Sequence, residues 1–376
     1  MVFKDFKGKK LSMLGLGTMR LPITDGDYGK IDKEKTAEMV KYAFEKGINY
    51  FDTAWGYHSG QSEPVMGEIL SEYERESYYI ATKFPGYDLA NINKVEEIFA
   101  KQLERLNTDY FDFYLVHNVC DLNINQYLDP QYRIHDYLVK MKKEGKIRHL
   151  GFSIHGDMTV MKRFLEVYGE DMEFCQIQLN WLDYSFQDAR AKVELLDELG
   201  MDIWVMEPLR GGKIINLTRG ETERLKEVCP DEDAVSAAFR YLQGFKGVKV
   251  ILSGMSDMTQ LKDNINTFET EKPLSEEAVA VLYDIARKRT EKVALPCTSC
   301  RYCTEHCPKE LDIPRLITLY NEHAFTGGGF IAPMALQTID EEKHPSSCIG
   351  CRSCEAVCPQ SIKISEAMAD FAERLK

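Results

Sequence analysis

Nowhere in the 376-residue sequence do about 18 apolar residues run together, so no segment qualifies as a membrane span. The opening MVFKDFKGKKLSMLGLG lacks the apolar stretch and small-residue cleavage site of a secretory signal, and a cytoplasmic protein without a membrane partner is the expectation. Lysine and arginine (47) are outnumbered by aspartate and glutamate (60), a net charge of -13, and form no basic cluster; nucleic acid is therefore not an expected partner. No Gly-x-Gly-x-x-Gly turn joins a strand to a helix, which argues against a Rossmann domain. Cysteine is scarce over most of the chain: of 11, three lie in the first 296 residues and eight in the last 80. That asymmetry points away from a disulfide framework and toward metal in a reducing compartment.

What is present is a chain 44% hydrophobic and 28% charged, able to bury a core and long enough for a barrel plus a small appendage. Strand-like runs occur at Ser12 to Thr18, Tyr50 to Trp55, Tyr78 to Phe84, Phe111 to Asn118, Ile147 to His155, Glu173 to Trp181, Asp202 to Leu209 and Lys249 to Met255. They alternate with helical periodicity at Lys33 to Lys46, Ser62 to Tyr73, Lys94 to Leu106, Ile134 to Glu144, Met158 to Tyr168, Ala189 to Leu199, Asp233 to Phe245 and Met258 to Phe268. Alternation of this kind predicts an α/β fold, a (β/α)8 TIM barrel. Ser12 to Thr18 reads either as the first barrel strand or as part of a hairpin plugging the floor, because Gly15 and Gly17 weaken a strand interior. A helix over Ser275 to Arg289 is expected to bridge to a second domain, giving boundaries at 1–273, 274–292 and 293–376.

Barrel chemistry sits at the C-terminal ends of the strands. There NYFDTAWGY places Asp52 at a tip and Tyr57 in the following loop, YYIATKF places Lys83, and FDFYLVHN places His117. Singly, each suits a solvated loop or a helix cap. Together they are what reduction of a carbonyl by hydride needs: a phenol to protonate the developing alkoxide, an ammonium to lower its pKa, a carboxylate to hold the ammonium, and an imidazole to orient the carbonyl oxygen.

In the order and context of these four residues the chain resembles the aldo-keto reductase family over roughly residues 11 to 270. GLGTMR, FDTAWGY with SE shortly after, ATK, LVHN, GFS and EPLRGG are similar to the family's motifs. The resemblance implies Tyr57 as general acid or base, Lys83 as the residue lowering its pKa, Asp52 as partner of Lys83 and His117 as hydrogen-bond donor to a small carbonyl substrate. It also implies an extended NADP or NAD. Ser153 and Gln176 would hold the carboxamide, with Thr18 and Met19 near the nicotinamide ribose and Pro208, Leu209 and Gly211 along the pyrophosphate. Gly254, Ser256, Gln260 and Asn264 would meet the adenosine end. The chain departs from the family where Gly254 and Gln260 replace the basic residues of many NADPH-specific members, and Met206 stands where an aromatic often stacks. NADPH, NADH and flavin therefore stay open. Trp55, Phe84 and Trp181, with the segment Val119 to Arg133, are expected to shape an apolar substrate pocket.

The tail reads CTSCRYCTEHCP from Cys297 and CIGCRSCEAVCP from Cys348, each with cysteines at offsets 0, 3, 6 and 10 and a closing proline. This is the bacterial-type run for two 4Fe-4S clusters, in which the fourth cysteine serves the other cluster. Cys297, Cys300, Cys303 and Cys358 are thus assigned to one cluster and Cys348, Cys351, Cys354 and Cys307 to the other. The helical spacing of IPRLITLYNEHAF between the runs resembles α-helical ferredoxins, a tail also fused to some aldo-keto reductases. Cys120, Cys175 and Cys229 read as idle buried thiols. Since hydride transfer needs no iron, three functions compete: a reductase whose clusters feed electrons or hold the tail together, an electron-transfer enzyme working with an external ferredoxin, and a non-enzymatic redox sensor that binds a nucleotide.

Overall fold

The computed structural model describes residues 1–297 and 300–376. A hairpin of β1 (Phe3–Phe6) and β2 (Lys9–Ser12) precedes a closed, all-parallel barrel. Its strands are β3 (Leu14–Gly17), β4 (Tyr50–Asp52), β5 (Tyr79–Phe84), β6 (Phe111–Val119), β7 (Ile147–Ile154), β8 (Phe174–Gln178), β9 (Asp202–Met206) and β10 (Val248–Gly254), with β10 closing on β3. The (β/α)8 expectation holds, and so do all eight covering helices.

Both readings of Ser12 to Thr18 prove partly right. Ser12 ends the hairpin, whereas Leu14–Gly17 pairs between β10 and β4 as the first barrel strand. Gly15 tolerates this position because a Cβ there would stand only 2.8 Å from Leu252 Cδ2 and 2.9 Å from Val250 Cγ1. The strand trades propensity for close packing inside the barrel. Phe6 and Leu11 of the hairpin join Tyr50, Phe113, Leu115, Phe174, Trp204 and Val250 in one buried cluster. Phe6 meets the Trp204 ring edge-on at 5.0 Å, so the hairpin plugs the end of the barrel opposite the strand tips.

Of the barrel helices of ten or more residues, one was not anticipated, Arg219–Val228 between β9 and β10. It buries only Leu225 and so leaves almost no apolar period to read, although Thr218 and Glu221 form a capping box at its start. The expected bridging helix runs over Glu276–Glu291, with the Ser275 hydroxyl accepting from the Ala278 amide at 3.2 Å. The chain divides inside this helix into two compact units, Met1–Tyr283 and Asp284–Lys376.

The second unit is helical among its described residues. Its longest complete helix, Ile313–Thr326, starts at Asp312, whose carboxylate accepts from the Arg315 amide, has Pro314 in its first turn and stops at left-handed Gly327. Leu311, Ile313, Leu316, Ile317, Ile362, Ile364, Met368 and Phe371 form its core. Among the described residues no helix is long and apolar enough to cross a membrane.

Candidate active site

The tips of β4, β5 and β6 bring Asp52, Lys83 and His117 to one mouth of the barrel, and the turn after β4 adds Tyr57. Lys83 is 0% exposed and Asp52 3%. Lys83 Nζ donates to Asp52 Oδ1 at 2.6 Å and to the Thr53 carbonyl at 2.7 Å. The same nitrogen lies 5.3 Å from the centre of the Tyr57 ring, and that ring stands edge-on to His117 with 6.3 Å between centroids. Asp52 Oδ2 and His117 Nδ1 are buried without a hydrogen-bond partner.

Burial works against both charges of the pair, raising the Asp52 carboxyl and lowering the Lys83 ammonium, while their mutual attraction opposes each shift. The expected effect on Tyr57 is not found. Burial, followed by the Asp52 carboxylate, pushes the phenol well above its ordinary value. The Lys83 ammonium, bound to Asp52 and Thr53, does not offset that rise. Burial and Lys83 also hold His117 well below its usual range, which keeps the imidazole neutral.

A buried polar network explains the SE that follows FDTAWGY. Ser62 Oγ lies 2.7 Å from Thr18 Oγ1 and 2.9 Å from Thr53 Oγ1. Glu63 accepts from Thr82 and Gln102 at 2.7 Å and from Arg105 at 3.1 Å, and Gln102 also donates to the Lys83 carbonyl at 3.0 Å. These bonds clamp the strand ends that carry Asp52 and Lys83. Thr18 belongs to the clamp and not to a ribose site: it is fully buried and donates to the Asp52 carbonyl at 2.9 Å.

The other residues expected near a nucleotide divide into two groups. Gln176 on β8 is buried with Oε1 unpartnered, and Ser153 Oγ on β7 accepts from the Asn118 amide at 2.8 Å. Met19, Gly211, Gly254, Ser256 and Gln260 are exposed at the rim, Leu209 is half-buried and Pro208 buried. The helix after β10 is capped by Asp257 in place of Ser256, whose hydroxyl donates to the Arg20 carbonyl at 2.8 Å. Gln260 is tied to that cap, accepting from the Ser256 amide at 3.0 Å and donating to Asp257 Oδ2 at 2.8 Å. Asn264 points inward and donates to Ser253 Oγ at 3.1 Å.

The apolar pocket is corrected as well. Phe84 and Trp181 are core residues, and Trp55 lies under the Arg105 guanidinium at 3.7 Å. The segment Val119 to Arg133 supports the site from behind, with Tyr127 donating to the His117 carbonyl at 2.7 Å. Two tyrosines that sequence reasoning missed stand close to the phenol instead, Tyr28 and Tyr87, the latter edge-on to His117 at 5.2 Å. Arg20 was missed too, although it ends the GLGTMR motif. Tyr28 and Tyr87 lie in loops and Arg20 in a single 3-10 turn (Thr18–Arg20), where no periodicity marks which side chains face the mouth.

In the second unit, two apolar pockets collect the eight tail cysteines across the runs. Cys297, Cys300, Cys303 and Cys358 line one with Pro314, Ile317, Ile362 and Ile364. Cys307, Cys348, Cys351 and Cys354 line the other with Leu311, Ile313 and Met368. Four thiols facing an apolar cavity, with Arg301 beside the first and Lys309 and Arg352 beside the second, suit an anionic iron-sulfur cluster. Cys120, Cys175 and Cys229 are buried in the first unit.

Comparison with known proteins agrees with both units. The aldo/keto reductase family model matches residues 13–287, and a 4Fe-4S dicluster domain matches residues 296–363. L-galactose dehydrogenase of Arabidopsis thaliana is 30% identical over 283 residues, 69% of this chain and 84% of that protein. Probable aldo-keto reductase 1 of Glycine max is 29% identical over 214 residues, 55% of this chain, which spans only 58% of that relative. Among solved structures, the holo form of an aldo-keto reductase from Bacillus halodurans has a TM-score of 0.59 at 26% identity, covering 74% of this chain and 93% of its own.

The buried pair generates a stability prediction. Asp52→Ala strands an ammonium out of water and is expected to destabilise the barrel by about 3–5 kcal/mol, most of it recovered when Lys83→Met is added. Urea midpoints of the two variants and the parent measure this; a single variant as stable as the parent would refute it.

Proposed function

Given that the chain belongs to the aldo/keto reductase family and carries a 4Fe-4S dicluster domain, we propose that it moves hydride between a nicotinamide nucleotide and a small carbonyl or alcohol, with Tyr57 as general acid and base. The observation that carries this reading is the meeting of a protonated phenol, a neutral imidazole and a buried ammonium-carboxylate pair at the strand tips. A bound reduced nicotinamide supplies the hydride; the protein supplies the proton and the orientation.

Tyr57 gives its proton to the carbonyl oxygen as charge develops there, and the neutral His117 donates a second hydrogen bond to that oxygen. Lys83, held by Asp52, stabilises the phenolate left behind and does not need to ionise the phenol beforehand. Ser153 and Gln176 hold the carboxamide, a role that the unpartnered, buried Gln176 Oε1 supports. Asp257 at the helix after β10 places a carboxylate where a 2'-phosphate would need a cation, which favours NADH over NADPH. The phenols of Tyr28 and Tyr87 beside Tyr57 favour a hydroxylated substrate over a hydrocarbon one, in keeping with the sugar in the Arabidopsis relative's name.

Tyr57→Phe is expected to lower turnover of an accepted carbonyl by at least about 10²-fold. In the parent, the raised phenol and lowered imidazole leave neither group to titrate between about pH 6.5 and 10. Carbonyl reduction should therefore be flat across that window, while alcohol oxidation, which needs the phenolate, should rise with pH throughout it. A reduction profile with a midpoint near pH 8, or undiminished turnover by the variant, contradicts the assignment.

Two 4Fe-4S clusters, one per pocket, complete the proposal; when bound they supply one-electron redox capacity. Cys303→Ser with Cys358→Ser, both in one pocket, should leave about four iron atoms per chain, whereas Cys303→Ser with Cys354→Ser, one in each, should cost iron at both. Iron analysis after anaerobic purification decides, and equal loss at both sites in the two variants would mean that each run binds its own cluster.

The exposure of Cys300 and Cys351 brings both pockets to the surface and favours electron exchange with an external ferredoxin over a purely structural role. Oxidised ferredoxin should then take electrons from dithionite-reduced protein, restoring the absorbance of its clusters within seconds while becoming reduced itself. Clusters that stay reduced would point to the structural or sensing role.

A further inference from the structure

Arg20 begins where β3 ends, two residues past Thr18 of the clamp, and its side chain runs along the rim over β10 toward the loop after β9. A Cβ on Gly254 would lie 3.1 Å from Arg20 Cβ and 3.2 Å from both Cγ and Cδ. A Cβ on Gly211 would lie 2.9 Å from Arg20 Nη2. Gly211 also has φ +63°, the left-handed region that disfavours a side chain on its own account. Two side-chain-free positions therefore make room for one exposed arginine.

The Arg20 backbone is held by the Ser256 hydroxyl at 2.8 Å, and its guanidinium lies near Glu207, a half-buried carboxylate to which it is attracted. Nothing about barrel packing calls for a cation here: the side chain is exposed, and the polar clamp on the other side of the mouth is complete without it.

The position on the rim suggests what the cation meets. The carboxamide site lies on β7 and β8 and the proton donors on β4 to β6, so the rest of a dinucleotide must leave over β9, β10 and β3. Gly211 follows β9, the strand next to Gln176. With strands about 4.8 Å apart, a guanidinium there is within reach of the first anionic group past the nicotinamide ribose and short of the adenosine ribose.

We propose that Arg20 binds the pyrophosphate of the dinucleotide, exchanging Glu207 for a bidentate, charge-assisted contact to phosphate oxygens. The assignment rests on the nicotinamide reading above. It places the main cation of the groove at the diphosphate, where NADH and NADPH are identical, and not at the 2'-position.

The test is fluorescence titration of the anaerobically purified full-length protein and its Arg20→Met and Arg20→Lys variants with NADH, NADPH and reduced nicotinamide riboside, which has no phosphate. Arg20→Met should weaken both dinucleotides by about 10- to 100-fold and to the same extent, leave the riboside unchanged and leave the thermal midpoint unchanged; Arg20→Lys should recover part of the loss. Loss confined to NADPH would assign Arg20 to the 2'-phosphate, and equal loss with the riboside would make it a structural residue; either overturns the proposal. Unaltered dinucleotide binding by Arg20→Met overturns it while sparing the functional reading, whereas a parent that binds no nicotinamide compound overturns both.

Discussion

A lysine and an aspartate with almost no solvent contact face each other at 2.6 Å at the mouth of the barrel, and the rest of the site is arranged around that pair. Two buried charges are stable only if their hydrogen-bonding capacity is met, and here the surroundings meet most of it. The Thr53 carbonyl takes a second proton of the ammonium, and Gln102, Thr82, Glu63 and Arg105 fix the backbone from which Lys83 projects. Within the pair, Asp52 Oδ2 is left without a partner. The arrangement keeps a cation fixed beside the Tyr57 ring.

That constraint changes the role of the lysine. A free ammonium beside a phenol would depress its pKa, but an ammonium already neutralised by a carboxylate hardly does so, and burial dominates. The phenol is thus kept protonated at neutral pH. Preorganised dipoles that respond as charge develops are worth more in a dry site than a permanently ionised group.

The second unit solves a different problem. It is small, and its apolar core is interrupted by two thiol-lined cavities. Because the closing cysteine of each run faces the other run's pocket, filled pockets would cross-link the two halves of the unit. Small domains commonly need staples of this kind.

Much of this was legible in the primary structure. Eight parallel strands and their helices show as alternating periods because each strand is buried on both faces, and Asp52, Lys83 and His117 stand out as ionisable residues closing apolar runs. The cysteine spacing pointed to a 4Fe-4S domain, as the family comparison also does. Side-chain direction outside regular elements was not legible. Thr18 turned inward to the clamp, Asn264 turned to Ser253, and Tyr28, Tyr87 and Arg20 arrived at the mouth from loops. Local sequence determines which elements form, since burial imposes a period on them; which loop residues share a site, and whether a neighbouring charge acts on a phenol or is cancelled, depends on distances between residues far apart in the chain, and only the closed barrel sets those.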